Sequence, residues 1–125
     1  GITSLLYEGL FGATRATVPL FASPKLSQVI WDAAQMFGRD LPVSRDELDA
    51  LLDFTTIYEH IDRRQVLPVL ADHDLFFRLE NHAPLYDEES LVTLPLSHVG
   101  AMWFSNGAVR DQVFKALDWA TDHPH

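Results

Sequence analysis

Residues 44–61 read SRDELDALLDFTTIYEHI, and this stretch decides the fold class. Ser44 is followed three residues later by Glu47, the spacing of a capping box that begins a helix. Apolar and aromatic residues then recur at helical spacing or widen the same stripe: Leu48, Leu51, Leu52, Phe54, Thr55, Ile57, Tyr58 and Ile61. We therefore predict a central helix here, within a mainly α fold.

Two segments before this helix also have helical spacing. The first covers residues 3–16. The second has Ser23 as a candidate N-cap, Pro24 at the first helical position and Gly38 as the residue that ends it.

The last helix is predicted from about Gly107 to Thr121. Its core-facing stripe is expected to consist of Val109, Val113, Ala116 and Leu117. Residues 122–125 should form a frayed tail. Because no inter-domain linker is visible, we expect one domain over residues 1–125.

Residues 65–99 are compatible with either helices or strands. One interpretation is a helix that opens at Pro68. The other is a β-hairpin with strands at 65–71 and 75–80 and a turn at 72–74. Residues 92–96 alternate like an edge strand, although a kinked helix that starts at Asp87 would also fit them. The fold class is thus a mainly α domain with a possible small hairpin or edge strands, and α+β is the alternative.

The net charge of −9 is concentrated in the middle of the chain. Residues 40–89 contain thirteen Asp and Glu against four Arg, which accounts for the whole imbalance. This field repels phosphate backbones and anionic lipid, so we expect neither a nucleic-acid nor a membrane partner. It would instead attract a basic protein.

Several classes of function lack their sequence motifs. The chain has no cysteine, which excludes disulfides, thiol nucleophiles and Cys-ligated metals. It also has no glycine-rich phosphate-binding loop, nucleophile elbow or zinc-protease helix motif. No apolar stretch approaches the roughly twenty residues of a membrane helix, and no export signal is visible, so cytoplasmic is the default location.

Histidines and acids cluster between residues 60 and 82. Imidazole and carboxylate groups together can bind a metal ion or share acid–base work. The catalytic candidates are His60, Asp62, His73 and Asp74, and the metal-ligand candidates are His60, His73 and His82. Their spacing matches no known ligand pattern, so solvated surface histidines are the simpler interpretation and no cofactor is predicted. His98, in an apolar stretch, is the best candidate for a structural histidine.

Three functions remain as hypotheses. The sequence favours a small acidic regulatory protein, inhibitor-like or immunity-like, that binds a basic macromolecule. Its contact residues would be Asp46, Asp49, Asp53, Asp72, Asp74, Glu88 and Glu89. The first alternative is a metal-dependent or acid–base enzyme built on the cluster at 60–82. The second is a helical ligand-binding or sensor domain, with a pocket lined by aromatics such as Trp103 and Phe104 that would otherwise belong to the core.

Overall fold

A computed structural model of the chain describes residues 2–12, 14–56 and 61–123, and it is mainly α. The α-helices in these ranges are α1 (Ile2–Phe11), α2 (Leu26–Met36), α3 (Arg45–Leu52), α4 (Leu79–His82), α5 (His98–Phe104) and α6 (Asn106–Asp122). The strands are β1 (Val69–Ala71) and β2 (Val92–Leu94). None of the helices in the described ranges is long and apolar enough to cross a bilayer.

The capping box at the start of α3 is confirmed. The Ser44 hydroxyl accepts from the backbone N–H of Glu47 at 3.2 Å, and the Glu47 carboxylate accepts from the Ser44 N–H at 2.8 Å. The helix ends at Leu52, however, so its predicted continuation is wrong. Asp53 is extended, and its carboxylate accepts from the backbone and the hydroxyl of Thr55. Such local side-chain hydrogen bonds compete with helix formation. Ile57, Tyr58 and His60 lie outside the described residues.

The predicted hairpin is wrong, because β1 and β2 pair in parallel. Val69 is opposite Val92, and the ladder continues to Ala71 opposite Leu94. Residues 17–20 bridge to residues 66–69 on the other side of β1, also in parallel. Residues 66–71 are buried throughout, as expected for a strand covered on both faces. Residues 75–77 form bends and not the second hairpin strand, although residues 72–73 do form a turn.

The β1 segment separates two hydrophobic clusters. Val66 and Leu70 pack with Leu5 and Tyr86 in one cluster. The other cluster contains Val69, Ala71, Phe21 and Ala101. Successive side chains of a strand point to opposite faces, so this short segment supplies both clusters.

The limits of α6 agree with the prediction to within one residue, but its inward face does not. Val113 and Leu117 are 42% and 57% exposed, whereas Gln112 is fully buried. The Gln112 amide donates to the carbonyl oxygens of Pro68 and Ser90, each at 2.8 Å. The helix is therefore oriented by a polar contact to the strand pair. The helix also extends into the predicted tail, since Asp122 is helical and His123 stacks on Trp119 at a centroid distance of 3.6 Å, whereas residues 124 and 125 lie outside the described residues.

Both helices before α3 end at a glycine with positive φ. Gly12 follows α1 with φ +57°, and Gly38 follows α2 with φ +61°, a conformation that glycine adopts without strain. The start of α2 differs from the prediction. The N-cap is Lys25, and Ser23 lies two residues before it as a fully buried hydroxyl that accepts from the Lys25 N–H at 3.0 Å.

Candidate functional site

The predicted His/Asp cluster is dispersed in the structure. His60 is not among the described residues. Asp62 caps the 3-10 turn Arg63–Gln65 and binds Arg64 at 2.7 Å. Hydrogen bonding to the Arg64 guanidinium lowers the pKa of Asp62. Within the described ranges, no group of three or more His, Asp or Glu side chains is arranged to hold a metal ion.

His73 is an exposed surface residue. Its side chain is 73% exposed, and Nε2 lies 3.4 Å from the carboxylate of the neighbouring Asp72. The position fits the simpler interpretation of a solvated histidine, although His73 also lies at the margin of a pocket of about 180 Å³ that His98 lines.

Asp74 is paired with His98 rather than with His73. Its side chain is fully buried, and Oδ2 lies 2.5 Å from Nδ1 of His98. The other oxygen, Oδ1, accepts from the backbone N–H groups of Phe76 and Phe77 at 2.8 and 2.9 Å. The turn after β1 therefore fixes the carboxylate, and the first residue of α5 supplies the imidazole. The expectation that Asp74 lies on an exposed acidic surface is wrong.

Three phenylalanine rings surround His98. Phe77 stacks on the imidazole at a centroid distance of 5.8 Å and an angle of 15°. Phe21 and Phe76 both contact it edge-on at 6.0 Å. The His98 side chain nevertheless remains 27% exposed and lines a second pocket, of about 320 Å³, together with Phe21.

The fully buried histidine is His82, not His98. Its Nδ1 lies 2.6 Å from the Ser23 hydroxyl, and burial lowers its pKa to about 4. Serine–histidine contact invites comparison with a nucleophile and its base. Because both side chains are inaccessible to substrate, the pair holds the start of α2 against α4 instead. His82 is thus not available as a surface metal ligand.

The acidic residues predicted to contact a partner occupy different environments. Asp46, Asp72, Glu88 and Glu89 are exposed. Asp49 forms an ion pair with Arg45 at 3.2 Å, and the half-buried Asp53 is bound to Thr55. With Asp74 buried as well, and with Asp72 lying 3.4 Å from His73, four of the seven predicted residues have a partner within the chain.

Exposed apolar side chains are concentrated on α5. Val99, Met102, Trp103 and Phe104 are 62%, 63%, 75% and 77% exposed, which is four of the seven residues in this helix. The opposite side of α5 is anchored by Ala101, which has no exposure. The expectation that Trp103 and Phe104 are core residues is wrong. Hydropathy could not distinguish the two cases, because a core face and a docking face contain the same residue types.

Helix α6, which only Ser105 separates from α5, also has exposed apolar side chains. Val113, Phe114 and Leu117 are 42%, 59% and 57% exposed. Helical spacing places Asp111, Asp118 and Asp122 beside this stripe, together with Lys115, and Asp111 pairs with Arg110 at 3.5 Å. We call the exposed residues Val99, Met102, Trp103, Phe104, Val113, Phe114 and Leu117 the α5–α6 apolar face.

Comparison of the chain with protein-family models, with curated proteins and with solved structures found no significant match.

Proposed function

We propose that this chain is a protein-binding protein that contacts a basic partner through the α5–α6 apolar face. The observation that carries the proposal is the exposure of two adjacent large aromatics, Trp103 at 75% and Phe104 at 77%. Large aromatic side chains with this much exposure are typical of sites that bind a partner.

The residue types fit a contact surface. Tryptophan is among the residues most enriched at the energetic centres of interfaces, and an aromatic side chain can bury about 150–250 Å². Methionine adds an adaptable apolar surface, as Met102 would. The core already contains two hydrophobic clusters without these side chains, so their removal should affect binding more than folding.

The charge supports a basic partner. Asp118 and Asp122 lie next to the apolar stripe of α6, Asp111 is paired with Arg110, and the chain as a whole carries −9. Acidic residues at the rim of an interface accelerate association with a positively charged partner and disfavour acidic ones. The proposal retains the basic partner expected from the sequence and moves the contact from residues 46–89 to α5 and α6.

The test uses a photo-crosslinking residue in place of Val99, which is 62% exposed on the same helix, in the protein expressed in its own host. The captured protein is then purified, and its affinity is measured for wild type and for a Trp103→Ser/Phe104→Ser variant. We expect the double substitution to weaken binding at least about a hundredfold, as loss of two central aromatics usually does. Leu51→Ser is the matched control, because Leu51 is 66% exposed on α3. It should bind like wild type.

Two outcomes would overturn the proposal. In the first, the double variant binds the captured protein as tightly as wild type does. In the second, wild type forms a dimer that the double variant abolishes, which would make a second copy of this chain the occupant. The charge argument is tested separately with Asp118→Asn/Asp122→Asn, which should slow association at low salt and have little effect on dissociation.

A further inference from the structure

We infer that His98, held by Asp74 and surrounded by Phe21, Phe76 and Phe77, forms a binding site for a small aromatic molecule that carries one hydrogen-bond donor, such as a phenol. This site shares Met102 with the α5–α6 apolar face, but it binds a different kind of ligand and is tested at other residues. It would make the chain a receptor for a small molecule as well as a protein-binding protein.

The contact with Asp74 sets the tautomer of His98. Asp74 Oδ1 is occupied by two backbone N–H groups, so Oδ2 faces Nδ1 of His98. A carboxylate accepts hydrogen bonds, so we assign the hydrogen between the two groups to Nδ1. In the neutral imidazole this leaves Nε2 without a hydrogen, as an acceptor for a ligand hydroxyl or N–H.

A ligand must be able to reach Nε2 of His98. Nδ1 faces a fully buried carboxylate, and one face of the ring is covered by Phe77. The side chain keeps 27% exposure and lines two pockets, and Nε2 is the ring nitrogen that Asp74 does not engage. His82 provides the contrast, since its ring has no exposure at all.

The imidazole ring of His98 also has space beside it for a ligand. The larger of the two pockets that His98 lines measures about 320 Å³, at the lower end of the range of small-molecule sites. Apolar side chains line the rest of it: Leu20, Phe21, Ala22, Leu26, Phe77 and Met102. A single polar group in an apolar pocket selects a ligand with one matching polar atom.

Backbone strain at Phe21 supports the assignment independently. Phe21 has φ +49°, the left-handed region that bulky residues rarely adopt. The residue is buried, at 8% exposure, and its ring lies 6.0 Å from that of His98 in a T-shaped arrangement. Strained residues of this kind cluster at ligand sites, where the surrounding structure holds them in place.

The first experiment compares two probes by fluorine NMR titration. Para-fluorophenol carries the donor, and fluorobenzene has the same ring without it. We expect the phenol to bind about threefold to tenfold more tightly, the effect of one hydrogen bond between neutral groups. His98→Phe should remove this difference, whereas His73→Gln, a change at an exposed histidine, should leave it unchanged.

The second experiment reverses the polarity of the site. In Asp74→Asn the amide oxygen can accept the two backbone N–H groups, and the amide NH₂ then faces Nδ1 of His98. The imidazole hydrogen moves to Nε2, which becomes a donor. The variant should therefore bind para-fluoroacetophenone, whose carbonyl can only accept, more tightly than fluorobenzene, whereas wild type should bind these two probes equally. A residue that only stabilises the fold would not produce this reversal.

A third measurement needs no variant. In wild type with labelled histidine, nitrogen NMR should show the Nδ1–H tautomer for His98, and para-fluorophenol should shift its Nε2 resonance but not that of His73. The proposal is overturned if wild type binds the two probes of the first experiment equally. It is also overturned if the Nε2 resonance of His98 does not move at saturating phenol.

Discussion

Nδ1 of His82 lies 2.6 Å from the hydroxyl oxygen of Ser23, a residue 59 positions earlier in the chain, and neither side chain is exposed to solvent. Nε2 of His82 has no hydrogen-bond partner among the described residues. Both observations favour a neutral imidazole in the folded protein. Burial accordingly lowers the pKa of His82 to about 4.

Stability should therefore fall as the solution is acidified. A histidine in the unfolded chain has a pKa near 6.5. Between about pH 6.5 and pH 4, His82 is therefore protonated in the unfolded state but not in the folded state. The contribution of His82 to the stability of the folded state is fully present above that pH range and is lost as the pH falls through it. We expect acidification from pH 7 to pH 5, acting through His82, to lower the free energy of unfolding by about 2 kcal/mol. Urea denaturation at the two pH values measures it.

The matched variants are His82→Gln and His73→Gln. The first should reduce the loss on acidification by most of that amount, and the second should leave it unchanged because His73 is exposed. If His82→Gln loses as much stability as wild type between the two pH values, another group carries the dependence.

The capping box of α3 gives a second prediction. Ser44→Ala should lower the free energy of unfolding by about 1 kcal/mol, because the N–H of Glu47 loses its acceptor. Glu47→Gln should cost much less, since an amide oxygen can still accept from the Ser44 N–H. Chemical denaturation compares the two, and equal losses would mean that the charge of Glu47 matters more than the cap.

Two leucines should respond very differently to the same substitution. Leu70 has no exposure, so Leu70→Ala should cost about 2–5 kcal/mol. Leu117 is 57% exposed on α6, and Leu117→Ala should cost less than about 0.5 kcal/mol. A large loss at Leu117 in denaturation experiments would mean that α6 packs through the face expected from its hydropathy.

The buried amide of Gln112 gives a fourth prediction. Gln112→Met keeps the size of the side chain but removes both hydrogen bonds to the strand pair. We expect a loss of about 1–3 kcal/mol, because the Ser90 carbonyl loses this donor in a buried site. Lys115→Met, on the exposed side of the same helix, should stay within about 0.5 kcal/mol of wild type. Thermal or chemical unfolding measures both, and equal stabilities would indicate that the packing of α6 does not depend on the amide.

Local signals in the sequence predicted some of the helix limits but not others. The Ser44–Glu47 spacing located the start of α3, and Gly38 located the end of α2. The inward face of α6 could not be predicted in this way. Both of its faces carry apolar residues, and the buried one is centred on Gln112, whose partners at Pro68 and Ser90 are far away in sequence.

Non-local pairing explains the remaining differences. A hairpin is the arrangement that adjacent segments suggest, whereas β1 pairs with residues 17–20 and with β2, each more than twenty positions away. The same limit applies to the candidate site. The sequence indicates Asp74 and His98 separately as candidate residues, but nothing local indicates that residues 24 positions apart form a pair.

Pairing on both sides of β1 has a consequence for biosynthesis. Because the chain leaves the ribosome from its N-terminus, residues 17–20 can pair with the β1 segment well before β2 has been made. Until Val92–Leu94 emerges, Val69–Ala71 presents an open edge of apolar residues that the finished protein buries completely. Such an edge is a template for pairing with other nascent chains. A polypeptide that terminates between residues 75 and 90 would keep this edge permanently and should accumulate as aggregates.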